Sequence, residues 1–111
     1  MYKTITQSNI TFSIGKNAIG NFMIIDNSQP SYIWFHIHDK PSCHVIAHIP
    51  PDFDKKSSEY KHIIKMGAIL CKQHSKYKSE KICIVYTNIN NVRKTDIPGM
   101  VTTLNEKYIN I

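Results

Sequence analysis

The stretch that most constrains this chain runs from Ser31 to Ile49. Two runs of alternating apolar residues flank a turn built on Asp39, Pro41 and Ser42, which is how a β-hairpin is written. Side chains on a strand alternate between faces. Ile33, Phe35 and Ile37 therefore share one face, and Trp34, His36 and His38 the other. The second arm repeats the arrangement, with Val45, Ala47 and Ile49 set against His44, Ile46 and His48. One face is a plain core face. The opposite face collects the only Trp of the chain and four of its six His. If the two arms pair across the turn, His36 and His44 lie side by side on it.

A chain of 111 residues makes one domain, residues 1–111, with room for a core that needs neither disulfides nor metal. A hydrophobic content of 41% with 20% charged residues is that of a folded protein, so disorder is not expected. The charge balance is basic: 14 Lys and Arg against 8 Asp and Glu, for a formal net charge of +6. Such a balance points to a nucleic-acid partner or, from charge alone, to a merely solubilising lysine surface. Every basic residue except Arg93 is lysine, which neutralises phosphates well but reads bases poorly. Backbone contact should then outweigh sequence reading. Cys43, Cys71 and Cys83 are odd in number and not closely paired in sequence, which argues against a secreted disulfide scaffold. Met1–Ser8 lacks the apolar core of a signal peptide, and no run reaches membrane-spanning length. The expectation is a reducing compartment, cytoplasmic or nuclear, and no membrane partner.

Along the chain, residues 2–6 and 9–14 read as short strands, and Asn17 as the N-cap of a short helix over about 18–25. The spacing of Ile19, Phe22 and Met23 predicts the buried face of that helix. Residues 26–31 carry breaker chemistry and lead into the hairpin, after which Pro50-Pro51 halts the ladder. The main helix spans about 58–74 and is capped by Ser57 or Ser58. Tyr60, Ile63, Ile64, Gly67, Ala68 and Cys71 form its apolar stripe. Lys61, Lys65, Lys72 and Lys76 form a row on its flank, either a solvated face or a phosphate track. Residues 81–87, 100–104 and 108–111 complete a tally of about seven strands joined mostly by short turns. The predicted class is α+β: a mostly antiparallel sheet with one main and one short helix.

The chemistry in reach is limited. His36, His38, His44, His48 and Cys43 are zinc-type ligands, but their spacing fits no standard zinc motif. A histidine-triad hydrolase would need a His at the position of Lys40. Cys43 and His44 are neighbours on a strand and diverge to opposite faces, so they make no nucleophile–base pair. Gly15-Lys16 stands at a strand-to-helix turn where backbone amides and an amine could hold a phosphate. No Gly-rich phosphate loop or paired carboxylates occur. No catalytic residue, metal or cofactor is assigned.

Ile33-Trp34-Phe35-His36, a short gap, then Pro41-Ser42-Cys43-His44-Val45 resembles the signature of the NFACT-R domain. That domain is the RNA-binding module of the NFACT proteins (the NEMF and RqcH group) and of small coiled-coil-domain relatives. Trp34, His36, Pro41 and His44 carry the match. Gly15-Lys16-Asn17 with Asn21, Val85-Tyr86-Thr87, Asn91-Val92-Arg93-Lys94 and Pro98-Gly99-Met100-Val101 resemble further family segments in the same order. Tyr32 replaces the usual Asp, Ser42-Cys43 the usual Gly-Ser, and Lys16 the usual Arg. The other NFACT parts are not in this sequence.

The resemblance implies a small non-enzymatic domain that binds nucleic acid, RNA rather than DNA, in translation or ribosome quality control. The partner it implies is tRNA or the ribosome. With the positive charge, it nominates Lys16, Lys61, Lys65, Lys72, Arg93 and Lys94 as phosphate contacts. Trp34 reads either as a base-stacking platform or as packing, and His36 with His44 as a ligand-facing or a buried structural pair. The competing classes are a metal-dependent hydrolase or nuclease using the histidine face, and a protein-interaction module.

Overall fold

The computed structural model describes residues 1–111. In chain order its elements are β1 (Tyr2–Gln7), β2 (Ile10–Gly15), α1 (Ala18–Asp26), β3 (Ile33–Ile37), β4 (Val45–Ala47) and α2 (Ser58–Gln73). There follow β5 (Cys83–Asn88), β6 (Val92–Lys94), β7 (Val101–Thr103) and β8 (Lys107–Asn110). Six strands make one sheet in the order β1-β2-β4-β3-β5-β8, antiparallel throughout. β6 and β7 form a separate antiparallel pair. This is the α+β class read from the sequence, with eight strands rather than about seven. The extra strand is β6. Its three residues follow a 3₁₀ turn at Ile89–Asn91 and are too short to show alternation.

The hairpin alternation holds as read. Ile33, Phe35, Ile37, Val45, Ala47 and Ile49 all enter one apolar core with Phe12 and Ile14 of β2. α2 covers this face. Its cap is Ser57, whose hydroxyl accepts from the Tyr60 amide at 3.1 Å, and Glu59 stands in the first turn where it offsets the helix dipole. The predicted stripe is buried, with Leu70 added to it, and only Tyr60 is partly open. Gly67 lies on the Phe35 ring so closely that any Cβ there would collide with it. Glycine at mid-helix is unfavourable in itself, so the close approach of helix to sheet is what offsets its cost.

The other face of the sheet is built differently. α1 begins as expected, with the Asn17 side chain accepting from the Gly20 amide at 2.7 Å. Its inward face, however, is Gly20, Asn21 and Ile24, whereas Ile19 is 62% exposed and Met23 37%. The expected Ile19–Phe22–Met23 face is therefore corrected. A hydrogen bond from the sheet to Asn21, rather than apolar periodicity, sets the helix's rotation. α1 and the β6–β7 pair together enclose a second, smaller core of Ile24, Trp34, Ile46, Val85, Ile89 and Val92.

Candidate nucleic-acid interface

The register places Trp34 opposite Ile46 and Phe35 opposite Val45, which carries His36 and His44 into apposition. Their rings meet edge-on, with centroids 5.1 Å apart. Trp34 lies parallel to His36 at 5.7 Å and edge-on to His44 at 5.4 Å. The indole N–H donates to Nδ1 of His44 at 3.1 Å, so His44 accepts there and is neutral. Its backbone amide donates to Oδ1 of Asn21 at 3.0 Å, and its carbonyl accepts from the Gly15 amide at 3.0 Å. The Gly99 carbonyl completes its surroundings. A Cβ on Gly15 would overlap the Asn21 carboxamide. Trp34, His44, Asn21, Gly15 and Gly99 thus form one buried polar lock that fastens α1 and the β6–β7 loop to the hairpin.

Burial, and then the neighbouring His36, push the His44 pKa down to about 3. Burial also lowers that of His36, against the Ile37 carbonyl, which its Nδ1–H reaches at 2.6 Å. Trp34 is 3% exposed, so it packs and is not itself a stacking platform. His44, at 1% exposure, is likewise structural. His36 alone of the three remains half-open.

A cleft of about 1030 Å³ opens beside this lock. It wraps the end of the sheet where the β3–β4 turn, the β2–α1 junction and the β6–β7 loop converge. His36 and Asn21 line it, as do Pro41, Gly99 and Met100. Three exposed lysines, Lys3, Lys16 and Lys40, stand around it against one carboxylate, Asp39. Asp39 itself sits 3.1 Å from His38. The signature residues of the hairpin, Gly15-Lys16-Asn17 with Asn21, and Pro98-Gly99-Met100-Val101, widely separated in sequence, therefore meet at one place, whereas Asn91–Lys94 lies outside it.

The nominated phosphate contacts are not gathered there. Lys16 alone lines the cleft. Arg93 donates from Nη1 to the carbonyls of Asn90 (2.7 Å) and Val92 (3.2 Å). Lys94 pairs with Asp26 at 2.6 Å and lies over the Phe22 ring. Lys61, Lys65 and Lys72 ride on α2, the layer across the sheet from the histidine lock. Lys3 and Lys40, which were not nominated, line the cleft with Lys16. Lys40 sits in the hairpin turn between two signature positions, which was a usable signal; Lys3 reaches the site only through the β1–β2 register, opposite Ile14.

No three His, Cys, Asp or Glu side chains converge on a point that would hold a metal ion. His38 turns to Asp39 and the Tyr108 ring. His48 contacts the Ser13 hydroxyl at 2.6 Å and stacks on Tyr32, the residue that departs from the family pattern. Cys43 sits beside Cys71 on the helix side, away from the His44 ring, and the Cys71 thiol holds it below the usual thiol range.

No curated protein matches this sequence. Among solved structures, the chain is similar to the C-terminal part of the fibronectin/fibrinogen-binding protein from Streptococcus suis, with a TM-score of 0.82 and 20% identity. The match covers 99% of this chain and 44% of that one, so this chain spans less than half of its structural neighbour. At that identity the likeness is one of fold. A family model described as "NFACT protein RNA binding domain" matches residues 1–104. With nearly the whole chain matched and the signature residues assembled at one site, the protein belongs to the NFACT RNA-binding domain family.

Proposed function

We propose that this domain binds structured RNA, tRNA or rRNA, through backbone phosphates, and serves translation or ribosome quality control in the cytoplasm. The observation that carries the reading is the convergence of the hairpin signature residues with Gly15-Lys16-Asn17 and Pro98–Val101 on a cleft rimmed by Lys3, Lys16 and Lys40. Flexible exposed amines around a concavity neutralise phosphates without demanding a sequence, as the near-absence of arginine also suggests. In this reading Lys16, Lys3 and Lys40 make the contacts, and Arg93 and Lys94 extend them along the β6–β7 side. Lys61, Lys65 and Lys72 supply long-range positive potential from the opposite layer.

A salt titration of RNA binding tests it. Neutralising Z phosphates gives a log–log slope of about −0.7Z to −0.9Z, and Lys16→Glu should flatten that slope by about one unit. Affinity independent of salt, or no binding at low salt, would refute the proposal.

A further inference from the structure

We propose that the cleft takes one unpaired nucleotide of the RNA, its base laid against the His36 ring and its phosphate among Lys3, Lys16 and Lys40. This rests on the RNA-binding reading above and adds what part of the RNA is held. Trp34 and His36 are successive residues on one face of β3, and their planes differ by 4° at a centroid separation of 5.7 Å. A planar stack therefore already begins on the strand. It starts at a sealed indole and ends at His36, the half-buried member that lines the cleft. A nucleobase continues such a stack as a third ring.

The His36 ring is held for this purpose. Its Nδ1–H is spent on the Ile37 carbonyl, which fixes its tilt, and burial keeps it uncharged at neutral pH. It thus offers a π surface rather than a cation. Met100 and Val101 also line the cleft and add apolar surface to it. The lysines come from three separate segments that line the cleft, and the Lys40 amine, which lies 5.1 Å from the Tyr77 ring centroid, must swing from it to meet a phosphate. The volume of about 1030 Å³ is at the upper end of ligand pockets, enough for a nucleotide with its flanking phosphates. Bases inside a helix are stacked out of reach of a concave site, so the cleft discriminates paired from unpaired RNA.

The test compares a blunt RNA duplex with the same duplex carrying a one-nucleotide bulge, with 2-aminopurine as the bulged base. Anisotropy should show the bulged RNA bound about tenfold tighter than the blunt one. The 2-aminopurine emission should fall on binding. His36→Ala should bring the bulged and blunt RNAs to the same affinity and abolish the quenching. His36→Phe, which keeps a planar ring, should retain both the preference and the quenching. Lys40→Ala should weaken both RNAs. Equal affinity for the two RNAs, or a bulge preference that survives His36→Ala, overturns the nucleotide site and leaves RNA binding standing. Binding of neither RNA overturns the site and the RNA-binding reading together.

Discussion

The two faces of the central sheet solve the same packing problem in opposite ways. The α2 face is dry: sixteen buried apolar residues close on one another, and its one irregularity is Gly67 seated on Phe35. The α1 face has only six buried apolar residues and is held by hydrogen bonds among Trp34, His44, Asn21 and Gly15. An apolar face tolerates imprecise contacts, whereas a buried polar one is stable only if each member keeps its partner. The α2 face is therefore where the molecule gets its stability, and the α1 face is where it fixes the shape of a site. The cleft lies beside the second, with a hydrogen-bonded floor and an exposed lysine rim.

The largest blow to this contrast should come from Phe35→Ala. Phe35 is fully buried beneath α2, and removing its ring should cost about 3–5 kcal/mol, seen as a lower denaturation midpoint. The cleft's own chemistry would fail only as the whole fold fails.

Trp34→Phe should cost less, about 1–3 kcal/mol, because it keeps an aromatic ring and leaves Nδ1 of buried His44 without its donor. Acid sharpens the point. Folded His44 titrates at about 3 and unfolded His near 6.5, so between these values the unfolded state binds more protons. Stability from this group is complete above pH 6.5 and declines as the pH falls toward 3; His36 and His48, also lowered, add in the same direction. In Trp34→Phe the neutral ring loses the bond that favours it, and the decline should be shallower. A wild-type midpoint unchanged from pH 7 to 4 would mean that the polar lock contributes nothing.

The smallest effect should follow Asp26→Asn. The Lys94–Asp26 pair is half-exposed, so its loss should cost below about 1 kcal/mol. Freed from Asp26, Lys94 should instead tighten RNA binding slightly, measurable in the same salt titration.

What could be read in advance followed the same division. The α2 face was legible because it is written in periodicity: every second residue of β3 and β4, and the i, i+3, i+4 stripe from Tyr60 to Cys71. The α1 face was not, since a helix oriented by the Asn21 carboxamide and its close approach to Gly15 carries no hydrophobic period, and Ile19 and Met23 suggested the wrong side. His36 and His44 could be paired from the turn alone. The cleft could not be assembled, because Lys3 and Lys16 come to the hairpin turn that carries Lys40 only through the pairing of β1 with β2 and of β2 with β4, which no local pattern encodes.

The strand order also dictates a sequence of events in folding. β1 with β2, and β3 with β4, are hairpins whose partners are near in the chain and can close within microseconds. The pairing of β3 with β5 closes only after the chain has looped around the whole of α2, and its register from Ile33–Asn88 to Ile37–Ile84 admits no local shortcut. Such a closure pays its entropy before any contact rewards it. The docking of β5 on the β3–β4 hairpin is thus the strand pairing with the longest loop to close. That is also the moment at which Trp34 is sealed beneath Val85 and Val92. The chain's single indole should therefore report, by its own fluorescence, the closure of the β5 side of the cleft, to which Val85 belongs.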